Sequence, residues 1–199
     1  MSLSTLVMQV CLLFSVDCTV APKPATVKTG YEPKIYPMSA PKAYVDLILK
    51  YAKNPSREAA QTEQESSWNP KATSPYAKGL RQFTDSTGRW MARTACRRLG
   101  SYQPYNPVWS LRCGIIYQEL LQKNNHYGNY CLNRKIAEQE YNGGSRVITE
   151  LRRSKSNSLD KARKYCRRAK WACKENYNYP KQIARRQVKY IKLGGVYCP

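Results

Sequence analysis

The sequence predicts a mainly α protein. From Pro41 onward apolar residues recur at helical spacing, stretches with strand-like alternation are few, and stop and start signals such as Asn54-Pro55 and DSTGRW divide the chain into helix-length pieces. The 199 residues make one domain of ordinary size, or a domain with an arm, and can bury a core. No internal repeat or low-complexity tract is present.

Taken in order, the opening MSLSTLVMQVCLLFSVDCTVAPKP holds an apolar run from Leu3 to Val16, short for a bilayer span and suited to a signal peptide. Small residues end at Ala21, yet no Lys or Arg precedes the run, so residues 1–21 read as a signal peptide or an uncleaved anchor. Residues 22–41 carry five prolines and no apolar period, which predicts a linker. AYVDLILKYAKN then places Tyr44, Leu47, Ile48 and Tyr51 on one helical face, and Asn54-Pro55 ends that helix. Ser56 is the expected N-cap of the next helix, REAAQTEQESS, which carries an acidic cluster at its C-terminal end. Further helices are expected at about 85–98, with Asp85 as its cap, then 107–123, 130–141, 158–175 and 180–192.

The chain holds 34 Lys and Arg against 13 Asp and Glu, a formal charge of +21. That excess predicts anionic partners and leaves the fold open. Residues 145–179 are the most basic segment, with Arg152, Arg153, Arg163, Lys164, Arg167 and Arg168 among their cations. Without the leader the cysteines are Cys96, Cys113, Cys131, Cys166, Cys173 and Cys198, an even set without C-x-x-C pairs, which in an exported protein implies up to three disulfides. Cys166 and Cys173 sit in one predicted helix, about 10 Å apart along its axis at 1.5 Å per residue, so they are not expected to pair with each other.

The stretch EQESSWNPKATSPYAKGLRQF, Glu63 to Phe83, concentrates acids, turns and an aromatic residue in an otherwise basic chain. Glycoside cleavage requires a carboxylic acid still protonated near neutral pH, and burial against apolar or aromatic groups raises a Glu pKa by disfavouring the charged form. Glu65, close to Trp68 and followed by Ser66 and Ser67, fits that need, whereas Glu63 points elsewhere on a helix. Taken alone, Glu65 reads as an ordinary surface acid.

Glu65, Ser66, Trp68, Asn69, Pro70, Ser74, Pro75, Gly79, Leu80 and Gln82 resemble the catalytic motif of soluble-type lytic transglycosylases, relatives of goose-type lysozyme. YNPVWSLRCGIIYQELL from Tyr105, EYNGG from Glu140 and YPKQIARRQVKYI from Tyr179 resemble later motifs of that family, in the same order. The resemblance covers about residues 43–192 apart from the basic insert 145–179, and it implies a lysozyme-like transglycosylase domain over 42–199. This chain departs from the pattern at Arg81, which stands where Met is usual, at Gly143, which stands where Ala is usual, and in a loop shorter by one residue.

The resemblance implies that Glu65 is the general acid and then the base, that Tyr141 orients it, and that Ser74, Gln82, Asn142 and Ser66 bind the glycan. It implies cleavage of the MurNAc-GlcNAc β-1,4 bond of peptidoglycan with formation of 1,6-anhydro-MurNAc. A lysozyme-type hydrolase on the same fold is the alternative, with Asp85 or Glu140 as the second carboxylate most glycosidases use. A non-enzymatic nucleic-acid-binding virion protein would account for the charge but not for the ordered motifs, so nucleic acid is not the expected partner. Anionic wall or envelope polymers are expected on the basic insert, and the protein is expected in the periplasm or cell envelope, or on a virion, with a secretion, conjugation or phage assembly as its setting. His126 is the only histidine, no cluster suggests a metal, and no Gly-rich loop suggests a phosphate-bearing cofactor.

Overall fold

The computed structural model describes residues 40–199. The leader and nearly all of the proline-rich linker therefore lie outside the described residues.

The fold consists of helices α1 (Lys42–Tyr51), α2 (Pro55–Ser66), α3 (Asp85–Arg93), α4 (Pro107–Asn124), α5 (Tyr130–Gly143), α6 (Arg146–Ser154), α7 (Leu159–Arg163) and α8 (Lys170–Tyr190), with single 3₁₀ turns at Arg97–Leu99 and Ile191–Leu193. Isolated bridges join Thr73 to Lys78 and Lys78 to Phe83, and no strand forms among the described residues.

Local chemistry sets most boundaries. Asn54, rather than Ser56, caps α2: its side chain accepts from the Arg57 amide, and Pro55 takes the first helical position, where no amide is needed. Thr84, rather than Asp85, caps α3. Asn106 accepts from the amides of Val108 and Trp109 ahead of α4, and Asn129 caps α5. Two expected helices, 158–175 and 180–192, are replaced by a break after α7 and one 21-residue α8 that runs straight through Pro180. A helix-interior proline costs about 3 kcal/mol. It is tolerated here where Tyr179, Pro180, Ile183 and Ala184 are buried.

Helix α8 lies along α2, where Ala59 and Ala60 present no bulk and let the two backbones come close. Ile48, Leu80, Leu111, Ile115, Tyr179, Ile183 and Tyr190 complete that core. A second cluster, Phe83, Met91, Trp109 and the Cys96–Cys113 pair, secures α3 against α4. A third, Ile136, Val147, Leu151, Ala162 and Tyr177, seats α6 and α7 on α5 and α8, so residues 145–179 pack through an apolar face of their own.

Among the described residues three disulfides are formed: Cys96–Cys113, Cys131–Cys198 and Cys166–Cys173. The last overturns the expectation that its two cysteines lie too far apart. The chain is not helical from Lys164 to Ala169, and the fold-back brings the two Cα atoms within 6.0 Å. Cys131–Cys198 bridges 67 residues and fastens the C-terminal segment to α5. A disulfide stabilises by restricting the unfolded chain, typically by about 2–4 kcal/mol and more for a long loop. Replacing both Cys131 and Cys198 by Ala is therefore expected to lower the unfolding free energy in urea by about 4 kcal/mol, more than the same double change at Cys166 and Cys173. Equal losses would show that loop length does not set their worth.

Candidate active site

Glu65 is the penultimate residue of α2, and three interactions aim it. Ser67 closes the helix in the left-handed conformation (φ 49°), and Trp68 follows at φ 67°, so the chain turns sharply away and leaves the Glu65 side chain facing a cleft. The indole of Trp68 donates to the Tyr190 hydroxyl at 3.0 Å. Tyr190 in turn donates to Glu63 Oε2 at 2.8 Å, and Lys189 Nζ donates to Glu63 Oε1 at 2.7 Å. Glu63 thus ties the end of α2 to the end of α8 and takes no part in the cleft.

The cleft has a volume of about 360 Å³, with Glu65, Tyr141, Asn142, Glu175 and Tyr179 among the residues that line it. The Tyr179 hydroxyl donates to Glu65 Oε1. Burial among these groups is the largest influence on the Glu65 carboxyl and raises its pKa to about 7, although the Tyr179 hydrogen bond and the Arg81 cation act to lower it; the charge of Glu175 adds to the rise. Near neutral pH the acid is therefore close to half protonated, the condition under which one group can both give and take a proton.

The residues predicted for the site are brought together unequally. Tyr141 lines the cleft, but its hydroxyl donates to the carbonyl of Arg81 at 2.7 Å, and it is Tyr179 that reaches the acid. The physical cause is the close packing of α8 on α2, which brings Tyr179 to the acid and leaves Tyr141 tilted against Tyr117, ring centroids 5.1 Å apart and planes at 43°. Asn142 is at the cleft edge and accepts from Asn176 Nδ2 at 3.0 Å.

Ser74 also lines the cleft, with its hydroxyl engaged in its own turn, where it accepts from the amides of Tyr76 and Ala77. Gln82 sits at φ 43° and donates to the carbonyls of Ala72 and Gly79, so it braces the loop wall. Gly79 makes that loop possible: its φ is 77°, and a Cβ there would lie 1.8 Å from the Pro104 carbonyl oxygen. Ser66 bonds back to the Thr62 carbonyl and does not line the cleft.

Neither expected second carboxylate lines the cleft. Asp85 is paired with Lys78 at 2.9 Å, and Glu140 accepts from Asn125 Nδ2 at 3.2 Å. The acid that does line it is Glu175, one helical turn before Tyr179 on α8. The signal for both was the i, i+4 spacing within KENYNYP, in which Tyr179 opens the last motif.

The described residues thus form a mainly helical domain with the Glu65 carboxyl set in a cleft. The family profile described as Transglycosylase SLT domain matches residues 47–164, and the chain belongs to that family, the lytic transglycosylases. The crystal structure of the 70 kDa soluble lytic transglycosylase from Escherichia coli is similar at a TM-score of 0.61 and 23% identity over 79% of this chain. The match spans 25% of that enzyme's length. No curated protein matches the sequence.

A raised carboxyl pKa opposes folding once the group must ionise. In the unfolded chain Glu65 ionises at the ordinary value near 4.5, and in the folded protein only at about 7, so stability is lost as pH climbs from 4.5 to 7 and the loss is complete above 7. The Glu65→Gln protein is expected to be more stable than wild type at pH 8, by about 3 kcal/mol, and nearly equal to it at pH 4. Urea unfolding at the two pH values checks this, and a difference independent of pH would contradict it.

Proposed function

We propose that this protein is a peptidoglycan lytic transglycosylase in which Glu65 supplies both the acid and the base. The observation that carries the reading is the Glu65 carboxyl in the cleft, held by Tyr179 and raised to about 7, in a chain of the SLT family. In the first step the protonated Glu65 donates to the oxygen linking MurNAc C1 to GlcNAc O4, and the C1–O4 bond breaks. In the second, the Glu65 carboxylate takes the proton of the MurNAc 6-hydroxyl as that oxygen attacks C1. A 1,6-anhydro ring closes, Glu65 is protonated again, and no water is consumed.

Supporting roles are assigned by position. Asn142 and the Ser74 turn stand at the cleft wall where the N-acetyl and hydroxyl groups of a glycan strand would lie, Gln82 keeps that wall in shape, and Ser66 braces α2. A lysozyme-type hydrolysis keeps one structural argument: Glu175 lines the same cleft and could activate a water.

The basic insert is proposed to hold the enzyme on an anionic wall or envelope polymer. Arg152, Arg153, Arg163, Lys164 and Arg167 are exposed, and Arg146, Arg153, Arg167 and Arg168 surround a cavity of about 250 Å³. Arg168 stands apart, since it donates to Asn176 Oδ1 at 2.9 Å and through Asn176 reaches Asn142. An envelope setting, on a cell or carried by a virion, follows from that substrate. No helix among the described residues is long and apolar enough to cross a membrane.

Two experiments test these readings. Glu65→Gln keeps the shape of the side chain and removes the proton, so cleavage of isolated sacculi is expected to fall by roughly 10²–10⁴-fold. Wild-type muropeptides analysed by mass are expected to be lighter by one water than lysozyme products and to lack new reducing ends. Reducing ends from the earliest time point would make water the nucleophile and Glu175 its activator. Replacing Arg152, Arg153, Arg163, Lys164 and Arg167 by Gln is expected to cut turnover on whole sacculi more than on short soluble fragments, and to flatten its salt dependence. Equal losses on both would place the insert in the cleft chemistry.

A further inference from the structure

Arg81 is fully buried in a chain whose other cations are mostly on the surface. Its Nη1 donates to Glu58 Oε2 at 2.7 Å and to Thr62 Oγ1 at 3.4 Å. Glu58, Thr62 and Glu65 follow one another at i, i+4 and i+7 along α2, so the guanidinium lies against the helical face that carries the acid. Helix α4 leaves room for it: a Cβ on Gly114 would fall 2.5 Å from Arg81 Cγ and 2.6 Å from Nε. On the cleft side the guanidinium carbon lies 5.4 Å from the centre of the Tyr141 ring, and the Tyr141 hydroxyl is bound to the Arg81 carbonyl.

The charge on Arg81 is not fully balanced. Arg57, Arg134 and Arg81 share two carboxylates, Glu138 and Glu58, and all five side chains are buried, which leaves three positive charges against two negative ones. Among the described residues Arg81 Nε meets no acceptor. The groups that act on Glu65 come from three directions: Arg81 from the loop before α3, Tyr141 from α5, and Tyr179 and Glu175 from α8. Arg81 is the cation in that set.

We propose that Arg81 is a positioning residue for the acid: its buried charge behind Glu65, clamped by Glu58 and admitted by Gly114, holds the Tyr141 wall and sets the pH window in which Glu65 can work. The inference rests on Glu65 as the acid. Burial alone would lower the guanidinium's own pKa, but Glu58 and its surroundings keep it above its ordinary range, so Arg81 is charged at every pH where the protein is folded. Its charge opposes the effect of burial on Glu65 and keeps the carboxyl from staying protonated far into alkaline pH.

The test is a carbon NMR titration of protein labelled at its glutamate carboxyls, with the Glu65 signal assigned by its loss in Glu65→Gln. Removing the charge and its partner together, in Arg81→Met with Glu58→Gln, is expected to raise the Glu65 midpoint by roughly one pH unit, the lower end of what a neighbouring charge imposes. Glu58→Gln alone leaves the guanidinium without that counter-charge and is expected to move the midpoint down. Should the double variant fail to fold, as judged by circular dichroism, the single variant decides by sign. A midpoint unmoved in the double variant, or unmoved or raised in Glu58→Gln, overturns the proposal. The alkaline limb of sacculus cleavage is measured on the same proteins. Midpoints that shift as expected while that limb stays in place would uphold the role of Arg81 and remove Glu65 as the acid.

Discussion

The structure depends on a chain of buried charges. Arg57 grips Glu138 with two bonds of 2.7 Å, Glu138 also accepts from Arg134 at 3.0 Å, Arg134 reaches Glu58 at 2.7 Å, and Glu58 ends on Arg81 at 2.7 Å. These residues join α2, α5 and the loop before α3, and Arg57 extends the chain to Gln187 on α8 and to the carbonyl of Cys198. Such pairs add little net stability over apolar packing, but losing one partner costs about 3–5 kcal/mol, because the other is left uncompensated out of water. Their value here is geometric. Apolar clusters let neighbouring helices slide, whereas paired bonds of this length admit one register of α2, and α2 carries Glu65.

Around Glu65 the same interior works in two opposed ways. The density that shuts out water pushes the carboxyl towards its neutral form, while Tyr179 and Arg81 pull it towards its ionised form, and the balance lies near neutrality. Neither influence alone would leave the carboxyl poised to give and to take a proton near neutral pH. The balance is also spread over the fold, since Tyr179 stands on α8, beyond residues 47–164 that match the family profile.

Much of this was legible in the sequence, and the remainder was hidden for physical reasons. Helix-length segments announced α2, α4 and α5 to within a few residues, but the caps chosen for α2 and α3, Ser56 and Asp85, each gave way to a neighbour, Asn54 and Thr84. Glu65 was singled out from ordered motifs, and the fold sets it in a cleft. Pro180 misled because its local cost exceeds any local gain, and only burial against α2 offsets it. Cys166–Cys173 was ruled out on the assumption of a continuous helix, and no short-range pattern marks the break from Lys164 to Ala169. Tyr179 and Tyr141 each follow an acid on a helical face, and only helix packing decides which one meets Glu65. The buried chain was the least legible feature: with 34 basic residues, the three that enter the core look like all the others.

A core organised around ions adds its own temperature response to that of the apolar packing beside it. The cost of removing charged groups from water falls on warming, because their hydration carries a strongly negative entropy. Burial of apolar surface likewise stabilises less on cooling. In this protein the two meet in one interior, so cooling increases the penalty on Arg57, Glu138, Arg134, Glu58 and Arg81 while loosening the apolar clusters beside them. Cold, more than moderate warmth, is the condition that the register of α2 is least equipped to withstand.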